Sequence, residues 1–384
     1  MEKNTPDITN IPNSNTSIKI LIAPLDWGLG HTTRIIPVVQ ELLTAGCKVI
    51  LAGNARQKAL LIAEFPQLEF LHLGGYNVKY SKHHRFFMWK LLWQLPLLKT
   101  IIYKEHSWLK KIVKKYSPDL VISDNRYGFF HKEVYSVLIT HQLQIHTPFG
   151  KMIDGIIQKI NYQLIQKFDA CWVPDEIVNG LGGKLSHPDK IPGTPVYYVG
   201  WLSRLKKDET KKEENHLLFL LSGPEPQRTI FESLVIEEIK NIQQQVIVVR
   251  GLPESHERLN LGSHITIYNH LPAKELNKLM LEASFIISRC GYSTVMDLAR
   301  LKKKSILVPT PGQSEQEYLA SFLSSRGMAY CLKQSDFSLV KHLQKAKDFQ
   351  YVFPPENPGR LKTIIASTMQ LIQTNMPAKH SSVI

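Results

Sequence analysis

The sequence predicts an α/β protein made of two Rossmann-like, doubly wound domains that face each other across a cleft. Three observations predict it. Short, continuously apolar runs, the mark of strands buried on both faces of a parallel sheet, alternate with amphipathic helical stretches along the chain. The alternation starts twice, at residues 18–24 and 216–221, each time followed by a glycine-containing turn and a helix. Between the two halves, residues 206–215 form a charged run without apolar content that reads as a solvated linker. The expected division is a loose tail (1–17), a first domain (18–203), a linker (204–215), a second domain (216–353) and a terminal helix and tail (354–384).

A chain of 384 residues, 43% hydrophobic and 21% charged, is an ordinary globular protein with room for two or three cores. Its net charge of +14 favours anionic partners: nucleic acid, an anionic lipid surface or phosphorylated small molecules. No arginine-rich or RNP-type motif supports the first, so nucleic acid is not an expected partner. Cys47, Cys171, Cys290 and Cys331 lie far apart with no CxxC pair, which points away from zinc and towards a reduced, intracellular compartment. Neither an Asp-x-Asp motif nor a His/carboxylate cluster appears, and no metal site is expected. Residues 1–17 lack the apolar core of a secretory signal, and the apolar stretch 89–103 is broken by Lys90, Gln94, Pro96 and Lys99, so the protein is expected to be soluble or peripheral.

The first strand, 18–24, feeds Asp26-Trp27-Gly28-Leu29-Gly30-His31-Thr32-Thr33-Arg34 and a helix with apolar Ile35, Ile36, Val38, Val39, Leu42 and Leu43. Residues 48–52 complete a βαβ unit. Gly28-x-Gly30 invites a dinucleotide reading, but Thr33 replaces the third glycine and the second strand ends Gly53-Asn54, with no acid for an adenosine ribose. The glycines either let a ligand approach the backbone or make a tight turn. His31 falls where the positive end of the helix dipole disfavours imidazolium, which suits a proton acceptor; a helix-start histidine bonded to a nearby carbonyl is the plainer reading.

Strands follow at 68–73 and 120–123, separated by a basic, aromatic region (79–116) fitted either to an anionic membrane interface or to helices with buried aromatics and a solvated basic face. The strand at 120–123 runs into Asp124 and Arg126, and the next, 136–140, into His141 and Gln142. Ligands gather at the carboxyl ends of strands in open α/β sheets, so these four are candidate cleft residues. A helix at 153–168 and strands at 170–174 and 196–199 end the first half.

The second half restarts with a strand (216–221), a turn holding Ser222, Gly223 and Arg228, a helix (230–240) and a strand (245–249). Arg228, near a helix start, is placed to meet an anion. Strands at 264–268 and 283–287 lead to Ser288-Arg289-Cys290-Gly291-Tyr292-Ser293-Thr294-Val295-Met296-Asp297. A strand, a glycine turn and a helix opened by hydroxyl residues make an anion site, and Asp297, one turn on, is placed to accept both hydroxyls of a ribose; a capped helix with a solvent-facing Asp is the plainer alternative. The strand at 305–308 ends in Pro309-Thr310-Pro311-Gly312, which delivers Glu315 and Gln316 to the same edge. A last helix spans 359–374.

Residues 288–316 resemble the nucleotide-sugar signature of MurG-like glycosyltransferases of the GT-B fold, related to glycosyltransferase family 28, and the Gly28-Leu29-Gly30-His31 loop is similar to that group's acceptor-side loop. The chain departs from the pattern at Asp297, where the group has Glu, and at Glu315, where it has His. The resemblance implies an inverting, metal-independent, cofactor-free transfer of a sugar, an N-acetylhexosamine, from a UDP-linked donor to a hydroxyl of a lipid-linked or cell-envelope glycan. It implies donor contacts from Ser222, Gly223, Arg228, Arg289, Gly291, Ser293, Thr294, Asp297, Glu315 and Gln316, and an acceptor side of Gly28, Gly30, Arg126, His141 and Gln142. His31 would take the acceptor proton, with Asp124 or Asp26 as second candidate or as the group that orients it. The basic aromatic stretch 86–115 then points to a cytoplasmic protein, soluble or peripheral on the inner face of the cytoplasmic membrane. A UDP-sugar epimerase of the same architecture and a non-catalytic nucleotide-sugar or polyanion-binding partner protein remain alternatives.

Overall fold

The computed structural model describes residues 17–76, 95–147, 150–208, 210 and 213–375. Two parallel sheets organise the chain. The first contains β1 (Lys19–Pro24), β2 (Lys48–Gly53), β3 (Glu69–His72), β4 (Leu120–Asp124), β5 (Tyr135–Ile139), β6 (Ala170–Val173) and β7 (Val196–Tyr198) in the order β3-β2-β1-β4-β5-β6-β7. The second contains β8 (His216–Leu220), β9 (Gln245–Val249), β10 (Ile265–Tyr268), β11 (Phe285–Ser288), β12 (Ser305–Leu307) and β13 (Tyr330–Cys331) in the order β10-β9-β8-β11-β12-β13. The central strands are buried on both faces, as the continuous apolar runs require: β1, β4 and β11 are inaccessible over nearly their whole length. β13 was not expected; its two half-buried residues carry no apolar run from which a strand could be read.

In each sheet the order reverses beside the first strand, and that reversal is what makes a site. Pro24 pairs with Asp124 and Leu220 with Ser288. The loop holding Gly28 and His31 therefore leaves the sheet beside Asp124, and the loop of Ser222 and Gly223 leaves beside Arg289.

The helices are α1 (Leu29–Thr44), α2 (Ala55–Glu64), α3 (Leu95–Tyr116), α4 (Lys151–Ile165), α5 (Gln227–Ile239), α6 (Ala273–Glu282), α7 (Tyr292–Leu301), α8 (Ser314–Ser325), α9 (Leu339–Asp348) and α10 (Arg360–Asn375). One apolar cluster runs through both halves, joining Ile35, Val38, Val39 and Leu42 of α1 to Val295, Leu298 and Ala299 of α7. The last helix returns to the first domain: Ile365 and Ile372 of α10 join that cluster, and Met369 Sδ lies 3.6 Å from Cys47 Sγ. No helix among the described residues is long and apolar enough to cross a membrane. Residues 1–16 of the expected tail and residues 86–94 of the basic aromatic stretch lie outside the described residues.

Candidate active site

Two helix starts meet in the cleft. α1 opens at Gly28, whose φ of +105° is open to glycine and strained for other residues, and α7 opens after Gly291. No side chain caps either start, and their opening N–H groups have no partner among the described residues. The Ser293 hydroxyl, in the first turn of α7, donates across the cleft to the Gly30 carbonyl at 3.0 Å. A Cβ at Gly30 would stand 3.0 Å from that hydroxyl oxygen, so glycine permits the approach. Each helix start carries roughly half a positive charge. Two such ends held together by apolar packing favour an anion between them.

His31 belongs to the same first turn of α1. Its Nδ1 lies 3.1 Å from Asp124 Oδ2, and Asp124 is fully buried at the end of β4. Arg34, one turn further along α1, pairs with Asp124 Oδ1 and brings Nη2 to 2.8 Å from the same His31 nitrogen. Nδ1 therefore sits between an anion that favours a proton there and a cation that opposes one. Burial lowers the His31 pKa below the ordinary histidine value; Asp124 opposes the shift and Arg34 adds to it. Burial works to raise the Asp124 pKa, but the charges and hydrogen bonds of Arg34 and His31 outweigh it and hold the carboxyl below its usual range.

The network continues into the second domain. Arg34 Nη1 is 3.2 Å from His141 Nδ1, and a guanidinium only donates, so that nitrogen accepts and Nε2 carries the proton. His141 Nε2 lies 2.7 Å from Glu315 Oε1, and Gln142 Nε2 donates to Glu315 Oε2. The His141 ring lies flat on Tyr292, centroids 4.1 Å apart and planes 2° apart, and the Tyr292 hydroxyl donates to the Pro174 carbonyl at 3.0 Å.

The structure thus brings Gly28, Gly30, His31, Asp124, His141, Gln142, Gly291, Ser293 and Glu315 together, with Thr294 half-buried in the same turn of α7. Ser222 and Gly223 are exposed on the loop after β8, at the edge shared with Gly291.

Other expected site residues are engaged elsewhere in the structure. Asp26 is spent on the backbone: both its oxygens accept from the Tyr76 N–H, at 3.0 and 3.1 Å. Arg126 is fully buried, paired with Glu105 at 2.6 Å and donating to the Pro24 carbonyl at 2.8 Å, because a guanidinium without water needs internal acceptors. Arg289 lies beneath the loop, 1% exposed and 4.2 Å over the Phe231 ring, donating to the carbonyls of Gln227, Val308 and Pro309. Arg228 pairs with Glu225 and Glu232, and Arg250 shares Glu232. Gln316 braces its own turn, accepting from the Thr310 N–H and donating to Gln313. Asp297 accepts from the Ser203 hydroxyl through Oδ1 at 2.5 Å, and burial pushes its pKa up to about 6. Sequence reasoning missed Arg34 and Tyr292. The signal for Arg34 was a charge three residues after His31, at the edge of an apolar helix face.

Among the described residues no cluster of three or more His, Cys, Asp or Glu is arranged to hold a metal ion.

Residues 218–354 match the Glycosyltransferase family 28 C-terminal domain. Over 332 residues the chain is 23% identical to a UDP-N-acetylglucosamine--N-acetylmuramyl-(pentapeptide) pyrophosphoryl-undecaprenol N-acetylglucosamine transferase of Clostridium perfringens (strain SM101 / Type A), covering 84% of the chain and 87% of that protein. It is 22% identical to an uncharacterized glycosyltransferase of Methanosarcina acetivorans, covering 83% of the chain and 86% of that protein. Among solved structures, the glycosyltransferase SnogD from Streptomyces nogalater is 13% identical with a TM-score of 0.57, covering 94% of this chain and 96% of its own. A Listeria monocytogenes protein described as a UDP-N-acetylglucosamine 2-epimerase is 11% identical with a TM-score of 0.56, covering 96% and 100%. At these identities the structural likeness is one of fold.

Proposed function

We propose, starting from a chain that is a GT-B glycosyltransferase of the MurG-like group, that it transfers a sugar, an N-acetylhexosamine, from a UDP-linked donor to a hydroxyl of a lipid-linked glycan, with inversion and without a metal ion. The observation that carries this reading is the convergence of two uncapped helix starts at Gly30 and Ser293, with His31 on one of them. A diphosphate entering there displaces the Ser293 hydroxyl from the Gly30 carbonyl. It meets the N–H groups of Tyr292, Ser293 and Thr294 and the hydroxyls of the last two. Donors fixed in advance where leaving-group charge develops stabilise the transition state without reorganisation. In the productive tautomer Arg34 gives up its contact with Nδ1 and bonds to Asp124 and His141, and His31 gives its Nδ1–H to Asp124 and takes the acceptor proton at Nε2. Asp124 then holds the imidazolium so formed. The acceptor oxygen attacks the anomeric carbon opposite the departing diphosphate, and inversion follows. Closure of the two domains, through His141 and Glu315, keeps water out.

The name of the clostridial relative supports a lipid-linked acceptor. So does the basic face of α3, where Lys104, Lys110, Lys111, Lys114 and Lys115 are exposed, a charge distribution suited to an anionic bilayer surface. Charge reversal at Lys110 and Lys111 is expected to reduce sedimentation with anionic vesicles.

Titration calorimetry with UDP-, GDP- and dTDP-sugars tests the donor, followed by transfer assays with the sugar that binds. Binding of a UDP-sugar and its loss of turnover, not of binding, in His31→Ala supports a transferase. Release of an altered UDP-sugar without any acceptor would assign the chain to the epimerases.

A further inference from the structure

Trp27 is unexplained by the chemistry so far. It lies in the loop between β1 and α1, against the buried Tyr76, yet is itself 37% exposed. The loop beneath it is unusually well built. Asp26 fixes the Tyr76 backbone, and a Cβ at Gly75 would stand 2.1 Å from the Asp26 carboxylate, so only glycine allows that approach. The Tyr76 ring meets Trp27 edge-on, centroids 6.4 Å apart at 85°. The Tyr76 hydroxyl donates to Glu105 at 2.8 Å, and Arg126, paired with the same carboxylate, lies 5.5 Å from the Tyr76 ring centroid. A buried ion pair and two hydrogen-bonded side chains thus hold one exposed aromatic in place. Asp26, expected as a second candidate for the proton-accepting role, and Arg126, expected on the acceptor side, support this loop.

We propose that Trp27 is a stacking platform for the acceptor, taking the apolar face of a pyranose ring. The inference rests on the transferase reading above. The indole face is electron-rich and attracts the polarised C–H groups on one side of a sugar ring. Trp27 precedes His31 by four residues, in the loop that turns at Gly28 into the first turn of α1. A ring seated on Trp27 presents a hydroxyl to His31. The rigid support matters because a platform ordered before binding costs less to use.

Saturation-transfer difference NMR, run with UDP present on a panel of methyl hexosides and methyl N-acetylhexosaminides, tests this. These probes have no lipid tail, so a signal reports the sugar alone. The expected result is transfer to the C–H groups of one ring face on the wild type, about fivefold weaker in Trp27→Ala and Trp27→Leu and largely kept in Trp27→Phe. Equal signals in the wild type and both aliphatic variants, or no signal from any glycoside on the wild type, would overturn it. UDP affinity by calorimetry, measured on all four proteins, reports separately on the donor reading: UDP binding without a Trp27 effect sinks the platform alone, while no UDP binding by the wild type sinks the donor site.

Discussion

His141 Nε2 stands 2.7 Å from Glu315 Oε1, and through this contact the end of β5 in the first domain grips the start of α8 in the second. Burial works to raise the Glu315 pKa, but His141 outweighs it, so the carboxyl sits below its ordinary range. The sign follows from linkage: a carboxyl with a depressed folded-state pKa contributes stability above its unfolded value and loses it as pH falls through the folded one. Thermal unfolding is therefore expected to show a loss of stability below about pH 4.3 that is smaller in Glu315→Gln. Near neutral pH the variant should be less stable by about 1 kcal/mol, a modest value because the carboxylate is 32% exposed on its side chain.

Arg34 pairs with Asp124 where neither side chain reaches water. Removing one member of a buried ion pair leaves the other uncompensated, typically at a cost of about 3–5 kcal/mol. Arg34→Met is expected to lose stability of that order in urea unfolding, and Arg34→Met combined with Asp124→Leu to recover part of it. No recovery in the double variant would mean that Arg34 stabilises by packing alone.

Because burial and Arg34 both push the His31 pKa down, the proposed catalytic base is expected in its proton-accepting form from below pH 6.5 upward. The acid limb of the kcat/KM profile should fall below that value. Arg34→Gln removes the opposing cation and should move the limb to higher pH. His31→Ala should keep donor affinity and lose turnover by roughly 10²–10⁴-fold.

Asp297 carries the opposite shift, up to about 6. A raised folded-state pKa gives a contribution present below the unfolded value near 3.8 and lost as pH rises through about 6. Asp297→Asn should therefore match the wild type in stability near pH 4 and exceed it by about 1–2 kcal/mol at pH 7.5, a discounted figure because the residue is only part-buried. Denaturant midpoints at the two pH values measure this.

The fold was legible because buried parallel strands write continuous apolar runs, and β1, β4, β8 and β11 all do so. The site was legible where glycine and a helix start coincide, at Gly28–His31 and Gly291–Thr294. What the sequence hid was the destination of long charged side chains. Arg126, Arg228 and Arg289 stand at strand ends and helix starts, where a ligand contact is reasonable, but each folds inward: Arg126 to Glu105 and Arg289 to the Val308 carbonyl, both far off in sequence, and Arg228 to its near neighbours Glu225 and Glu232. Arg34 did the reverse, joining two histidines that lie 110 residues apart on the chain, His31 and His141. Such choices depend on three-dimensional pairing rather than on local spacing.

The central claim is that the helix starts meeting at Gly30 and Ser293 receive a diphosphate, and calorimetric titration of UDP into wild type and Ser293→Glu tests it most directly. The account predicts that UDP binds the wild type, equally well with EDTA present, that uridine binds far more weakly, and that a carboxylate at position 293 weakens UDP by at least about tenfold, or 1.4 kcal/mol. UDP affinity unchanged in Ser293→Glu, or equal for UDP and uridine, would contradict it.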